Sequence, residues 1–481
     1  MRGDYRTDKG TFKKLKALCL TVCLAVFALS GCEQSGRSAL QTKDVSADSE
    51  TTANDTDHAA TKPVSGEMPS ANASEASADH AASNQQVPDP VTITLGHDLD
   101  ALHAEILQGL TDSFNETNQE GLTVEIISGS DVTDANGTAE NADPDEVIRG
   151  LSGLKADILL ADVGLINELE PIAQSLNNFL KEHPENFRQF KTELLDASAL
   201  TGIVYGLPFS VQSDLVFYNV TLLAEAEALV PSDIASFQTA AEKVSEKRHI
   251  PLLGVCTGAD SKTSFFEDVL HGFGAALTSE GVSVGLETTQ GEQAVSLMLK
   301  LFREGHVKMY DDAERMRQDF LSGNIGGFLG TSSDLTFTKS NRFQTEPALM
   351  PLVNKKAGAI VMKDLFLLTS VEKTEKAAKV FLAYLTREDT ATLWAVGTGD
   401  LPVTEASFDF KEYRSLMETD VVSRVLADKE IKHFFADKSE KAVRIRDELR
   451  YRLAIHSNDE VTANELIEEI VATVSEEDGQ N

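Results

Sequence analysis

Cysteine is scarce in this chain, with four among 481 residues. Cys19, Cys23 and Cys32 all lie in or directly after an N-terminal apolar segment, which leaves Cys256 as the only one in the rest of the chain. A lone cysteine excludes an internal disulfide and a cysteine-based zinc site from that part of the protein. Because Cys256 ends an apolar run, we interpret it as a small buried hydrophobe rather than a nucleophile.

Basic residues are also few, with 43 Lys and Arg against 77 Asp and Glu and a formal net charge of −34. Nucleic-acid binding needs a basic stripe or patch, and the sequence shows none, so we expect no nucleic-acid partner. Common catalytic motifs are missing as well: there is no Gly-x-Ser-x-Gly elbow, phosphate-binding loop or His-Glu-x-x-His helix. We therefore predict a protein that is not an enzyme, although a hydrolase with Asp162 and Asp400 as paired carboxylates stays open as an alternative.

The N-terminus has the pattern of an export signal. Lys13, Lys14 and Lys16 directly precede an apolar run over residues 17–29, which is too short for a bilayer span of about 20 residues but fits a secretory signal. The sequence Leu-Ser-Gly-Cys follows and is similar to a bacterial lipobox. We predict that residues 1–31 are a lipoprotein signal peptide and that Cys32 carries lipid, which anchors the protein on the extracytoplasmic face of a membrane.

Residues 33–90 contain no Phe, Trp, Tyr or Ile and are rich in Ser, Ala, Thr, Asp, Asn and Glu. Such a segment cannot bury enough apolar surface to order itself. We interpret residues 32–90 as the lipidated cysteine followed by a disordered tether.

The remaining length is too great for one typical core, so we expect two large lobes. Strand patterns at residues 91–95, 122–127 and 156–161 enclose helical patterns, which predicts an α/β fold. Further strands are predicted at residues 252–256, 325–329 and 348–353. Helices are predicted at residues 265–273, 291–302, 376–385 and 444–453, with a last helix after the capping box that begins at Thr462.

Polar residues follow two of the early strands. His97 and Asp98 come after the first strand, and Asp162 ends the strand over residues 156–161. Open α/β sheets bind ligands beyond the carboxyl ends of their strands, so these side chains are candidates for one cleft. The alternative is turn polarity with capping of the next helix by Asp98 or Asp100.

A second candidate region is the stretch over residues 205–219. Gly206 and Pro208 predict a kink, and the apolar residues 215–218 predict a buried strand after it. Phe209, Ser210 and Gln212 lie between them, a mixture that suits a crossing between lobes beside a ligand. An ordinary β-connection is the alternative.

From residue 91 onward the chain resembles the family 1 extracellular solute-binding proteins, the capture lipoproteins of bacterial ABC importers for sugars and related solutes. The matching pieces are residues 205–209 leading into 216–219, Phe320 and Gly323 before the strand at 325–329, residues 377–382, and Trp394 before residues 398–403.

The resemblance implies a type II periplasmic-binding-protein-like fold, in which two lobes each hold a central mixed sheet flanked by helices and a hinge joins them. Lobe 1 would comprise residues 91–211 and 330–350, and lobe 2 residues 212–329 and 351–475. The implied mechanism is closure around a small solute, followed by delivery to permease subunits, with no cofactor or metal. A two-lobed surface lipoprotein used for adhesion or protein interaction is the alternative.

The glycerol-3-phosphate-binding branch is the most similar part of that family. His97 falls on its motif histidine, although Gly96 replaces the usual aromatic residue, and Asp400 stands where an aromatic is expected. Its phosphate-binding arginine has only Lys438 as a candidate counterpart. The residues that we expect to contact solute are His97, Asp98, Asp162, Phe209, Ser210, Gln212, Trp394 and Asp400, with core packing as the alternative role for Trp394.

Overall fold

The structure is a computed structural model, and it describes residues 90–129, 156–188, 190–258, 261–279, 283–335, 338, 342–351, 357–427, 432–437, 439–456 and 460–478. The predictions for residues 1–31 and 32–90, including lipidation at Cys32, lie outside the described residues. The same holds for Lys438. The described residues belong to one compact unit, and the proposed lobe boundaries stay predictions.

The strands of the described chain are short except for two that cross much of the molecule. They are β1 (Val91–His97), β2 (Leu122–Ser128), β3 (Ile158–Asp162), β4 (Ala199–Leu200), β5 (Ile203–Val204), β6 (Gly206–Asn219), β7 (Leu253–Cys256), β8 (Thr278–Ser279), β9 (Ser283–Val284), β10 (Val307–Tyr310), β11 (Gly327–Thr331), β12 (Thr345–Ala348), β13 (Ala357–Leu367) and β14 (Lys432–Phe435).

The helices lie between these strands, singly or in runs. They are α1 (Ala101–Thr117), α2 (Ile166–Leu169), α3 (Asn177–Glu182), α4 (Pro184–Phe187), α5 (Thr192–Ala197), α6 (Val220–Glu225), α7 (Ile234–Arg248), α8 (Phe265–Phe273), α9 (Thr289–Arg303), α10 (Ala313–Leu321), α11 (Glu372–Leu385), α12 (Glu388–Thr398), α13 (Lys411–Thr419), α14 (Val421–Leu426), α15 (Glu440–Ile455) and α16 (Ala463–Asp478), with 3-10 helices at Val163–Leu165, Ser332–Leu335 and Glu405–Asp409.

One mixed sheet holds ten of the described strands. Its main order is β10-β7-β11-β6-β13-β3-β1-β2, with β12 also paired to β6 and β14 to β13. β1 runs parallel to β2 and β3, whereas β13 runs antiparallel to both β3 and β6. The sheet therefore combines a parallel part, as α/β units require, with the two long crossing strands.

β6 is continuous from Gly206 to Asn219, so the predicted kink at Gly206 and Pro208 is wrong. Pro208 is tolerated because residues 206–213 pair only with β13 among the described strands, which leaves one edge of the strand without a ladder. Gly206 is required for packing, since a Cβ atom there would overlap the Asp364 carboxyl group. The local irregularity is a bulge: Ser210 lies opposite Lys363 and Pro208 opposite Asp364, so Phe209 has no partner.

The second half of β6 contributes to two hydrophobic cores. Leu215 and Phe217 pack in a core that includes β1, α1 and α11, whereas Val216 and Tyr218 pack in a core with α7, α8, α9, α15 and α16. Burial on both faces explains why this run shows no polar alternation. It also confirms the prediction that residues 215–218 form a buried strand.

Most of the other predicted elements are confirmed, including a buried Cys256 and the capping box in which Thr462 and Glu465 exchange hydrogen bonds. The strand predicted at residues 348–353 is wrong in its described part, because β12 covers Thr345–Ala348 and residues 349–351 are not strand; residues 352 and 353 lie outside the described residues. β12 pairs with residues 216–219 of β6 and β13 pairs with the strand up to Ser213, so little of β6 is left for a longer β12.

Candidate functional site

The centre of the candidate site is a buried carboxylate, Asp400, on the loop that follows α12. Its Oδ2 accepts hydrogen bonds from Ser210 Oγ at 2.6 Å and from Trp394 Nε1 at 3.0 Å. Its Oδ1 lies 3.0 Å from His103 Nε2. The side chain is fully buried, with 0% of its surface exposed. These contacts bring β6, α12 and α1 together around one charge.

His103 lies on α1 between two carboxylates. Its Nδ1 lies 2.9 Å from Asp100 Oδ1, which also accepts from the backbone N–H groups of Leu102 and His103 as the helix N-cap. Burial by itself lowers the pKa of His103, but the charge of Asp400 and the hydrogen bonds to both carboxylates outweigh it and raise that pKa to about 9. His103 is therefore an imidazolium at neutral pH. The hydrogen bonds of Asp100 also show that Asp100, rather than Asp98, caps the helix.

Two aromatic rings pack beside this network. The ring of Phe209 lies 4.5 Å from that of Trp394, centroid to centroid, and the Trp394 ring lies 5.6 Å from His103. The bulge in β6 turns Phe209 toward Trp394, and both side chains are buried. The packing role of Trp394 is thus observed, while solute contact by either ring stays a prediction.

Gln212 connects the network to the neighbouring 3-10 helix Ser332–Leu335. Its carboxamide contacts His103 Nε2 at 3.3 Å and Ser333 Oγ at 3.3 Å. The Ser333 hydroxyl donates to the amide oxygen Oε1, and the amide nitrogen Nε2 is the atom that faces the His103 ring. Gln212 therefore links α1 to the segment after β11 across the long strand.

A second group lies at the carboxyl ends of β1 and β3. Lys363 Nζ on β13 lies 2.5 Å from Asp98 Oδ1, and both side chains are partly exposed. In the sheet, Lys363 stands opposite Asp162 on one side and Ser210 on the other. Asp162 caps the following 3-10 helix by accepting from Gly164 N at 2.7 Å. The result is a row of charged and polar groups across four adjacent segments of the sheet, which we call the polar row: Asp98, Asp162, Lys363 and Ser210.

The structure thus divides the predicted residues into two neighbouring sets. Phe209, Ser210, Gln212, Trp394 and Asp400 belong to the buried network, and Asp98 and Asp162 belong to the polar row, with Ser210 shared through its pairing with Lys363. His97 lies at the end of β1 and is buried, and its Nδ1 accepts from Leu99 N at 3.1 Å.

Sequence reasoning missed His103 and Lys363. A signal existed for His103, since an N-cap Asp followed three positions later by His places the two side chains together on the first turn. Lys363 carried no such signal, because it is one of two adjacent charged residues in an otherwise apolar strand.

Among the described residues, no helix has the length and apolar character needed to cross a membrane. In the same part of the chain, no group of three or more His, Cys, Asp or Glu side chains is arranged to hold a metal ion.

The sequence comparison defines the class of protein. The model of the bacterial extracellular solute-binding proteins matches residues 109–419. The chain belongs to this family, which consists of substrate-binding proteins and not of enzymes, and the family implies an extracytoplasmic location. No curated protein matches the chain in sequence. The alternative of a hydrolase with Asp162 and Asp400 is wrong, and the structure adds that three donors occupy the buried carboxylate of Asp400.

Solved structures support the fold. The cyclic α-maltosyl-1,6-maltose binding protein from Arthrobacter globiformis aligns with a TM-score of 0.65 at 18% identity, covering 80% of this chain and 99% of that one. UgpB from Mycobacterium tuberculosis, in complex with glycerophosphocholine, aligns with a TM-score of 0.65 at 16% identity, covering 80% and 98%. Maltose-bound MalE3 of T. maritima gives 0.62 at 17% identity, covering 80% and 99%. The predicted type II periplasmic-binding-protein-like fold is confirmed.

Proposed function

We propose that this protein captures a carbohydrate or glycerol-phosphate-like solute between two closing lobes and delivers it to the permease of an ABC importer. The observation that carries the proposal is the polar row, because it lies at the carboxyl ends of β1 and β3 beside the crossing strands. Its carboxylates accept hydrogen bonds from solute hydroxyl groups, and Lys363 donates to solute oxygens. The structures of similar fold include one in complex with glycerophosphocholine and one with maltose bound.

The buried network has a supporting role in this proposal. Asp400 is held by three hydrogen-bond partners, among them Ser210 and Trp394, while Gln212 connects the long strand to Ser333. A network with all its partners satisfied stiffens the elements that it joins. We infer that it holds the crossing strands and α1 as a rigid frame on which the second lobe closes.

The solute-binding proposal predicts a specific loss in Asp162→Ala. Purified residues 33–481 are expected to show a thermal shift with one class among sugars, glycerol phosphates and polyamines, and calorimetry then gives the affinity. Asp162→Ala should weaken that affinity about tenfold or more, because a hydrogen bond to a charged group contributes about 1.5–3 kcal/mol. Asp112→Ala, an exposed change on α1, serves as the control. If no solute class shifts the unfolding temperature, the adhesion alternative replaces capture.

The location is the second part of the proposal. We propose that the mature chain begins at a lipidated Cys32 and that the segment up to residue 90 tethers the body to the membrane. The wild type is expected to incorporate labelled palmitate and to sediment with membranes when expressed in bacteria, and Cys32→Ser should do neither. A soluble, unlabelled wild type would rule out the anchor.

A further inference from the structure

The ion pair within the polar row has a consequence for which solutes the site accepts. Lys363 Nζ and Asp98 Oδ1 are 2.5 Å apart, a short charge-assisted contact, and only about a fifth of each side chain is exposed. With Asp162 opposite Lys363 in the sheet, the three side chains carry two negative charges and one positive charge. The ammonium group is therefore already engaged before any solute arrives.

Two other described cations on neighbouring elements are engaged in the same way. His103 is held by Asp100 and Asp400, and Arg317 donates from Nε and Nη2 to Asp334 at 3.1 and 2.9 Å. Asp334 in turn accepts from Thr331 N, beside the segment that Gln212 contacts. A doubly charged phosphate entering this region would meet cations whose charge is already balanced by a carboxylate.

We propose that the Asp98–Lys363 pair makes this site select neutral polyhydroxylated solutes over phosphate-bearing ones. The inference rests on the proposed solute-capture function and concerns the selectivity of the same site. Hydroxyl groups can donate to the carboxylates and accept from Lys363 without breaking the pair, since each group retains further hydrogen-bonding capacity. A phosphate ester instead meets the Asp98 carboxylate beside an ammonium group that is already paired, in a partly buried setting where the repulsion is only partly screened.

The pair also predicts how to reverse the preference. Removal of the Asp98 charge frees the ammonium group, so an anion can bind to Lys363. Removal of the Lys363 charge leaves Asp98 without its counter-ion. Asp98→Asn and Lys363→Met should thus change anion affinity in opposite directions, a result that a merely structural ion pair would not give.

The experiment measures the affinities of maltose, glucose 6-phosphate and glycerol 3-phosphate by calorimetry for the wild type, Asp98→Asn, Lys363→Met and the double variant. The wild type should bind maltose at least about tenfold more tightly than either phosphate ester. Asp98→Asn should improve the phosphate esters relative to maltose by about tenfold, about the size of one screened charge interaction at this distance. The gain should shrink with added salt and disappear in the double variant.

Circular dichroism checks that each variant is folded, and Asp112→Asn is the matched control for a lost carboxylate. Wild-type protein that binds phosphate esters as tightly as maltose would overturn the selectivity inference and leave solute capture intact. An unchanged affinity ratio in folded Asp98→Asn would do the same. Wild-type protein that binds none of the three solutes and none of the wider panel contradicts the proposed function itself.

Discussion

Asp400→Ala is expected to lower the free energy of unfolding by about 3–5 kcal/mol, the usual cost of removing one partner of a buried charge pair. The substitution leaves the His103 imidazolium without its buried counter-ion and leaves the Ser210 hydroxyl and the Trp394 indole N–H without an acceptor. Urea denaturation monitored by Trp394 fluorescence measures the change. Because stabilities of about 5–15 kcal/mol are typical, this loss is a large share of the total.

The control is Asp409→Ala, which removes an exposed carboxylate paired with Arg414 and should cost less than about 1 kcal/mol. The pH dependence gives a second check. The folded-state pKa of His103 is raised to about 9, so the pair stabilises fully below about 6.5 and loses its effect as the pH rises through 9. The difference between wild type and Asp400→Ala should therefore shrink between pH 6.5 and 9.5. Equal costs for Asp400→Ala and Asp409→Ala would contradict the structure of the network.

The second large effect is expected at Asp364, where Asp364→Asn should stabilise the protein at alkaline pH. Burial raises the pKa of this carboxyl group to about 8, helped by the charge of Asp162 and opposed by Ser198. Asp364 lies fully buried on β13, packed against Gly206. At neutral pH it is thus a protonated acid in the folded state and a carboxylate in the unfolded chain.

The sign follows from linkage. Below the unfolded-state pKa of about 4 the group has no net effect, and the wild type loses stability as the pH rises from there to about 8, at up to about 1.4 kcal/mol for each unit of pKa difference. Asn cannot titrate, so Asp364→Asn should match the wild type near pH 4 and exceed it by several kcal/mol at pH 8. Asp409→Asn is the control and should follow the wild-type curve. Parallel curves for wild type and Asp364→Asn between pH 4 and 8 would show that this carboxyl group titrates normally.

Much of the fold could be predicted because apolar patterns are local. The strand at residues 215–218 is buried on both faces, and its continuous apolar run indicated this directly. The carboxyl-end positions of Asp98 and Asp162 followed from the strands before them. The prediction of a kink at Gly206 and Pro208 was wrong, because both residues normally break strands. Here an unpaired strand edge next to a bulge accommodates Pro208, and close packing against Asp364 requires Gly206.

The candidate site was harder to predict because its bonds join distant parts of the chain. His103 and Asp400 are 297 positions apart, and Asp98 and Lys363 are 265 positions apart. No local pattern specifies which carboxylate meets which cation. The choice depends on the order of β3, β13 and β6 in the sheet, which only the folded structure reveals.

The two-core burial of β6 has a consequence for how its register is fixed. A slip by one residue would exchange Leu215 and Phe217 with Val216 and Tyr218, and all four side chains would still enter an apolar core. Hydrophobic patterning ordinarily fixes strand register, but it therefore does little to fix the register of this half of the strand. We infer that polar residues of the same strand fix the register. Ser210 donates to Asp400, Gln212 accepts from Ser333, and Asp214 accepts from Ser264 N at 2.7 Å, and all three hydrogen bonds form together in one register only. Ser210 and Gln212, which are expected to serve solute binding, thus also help to fix the register of the longest strand.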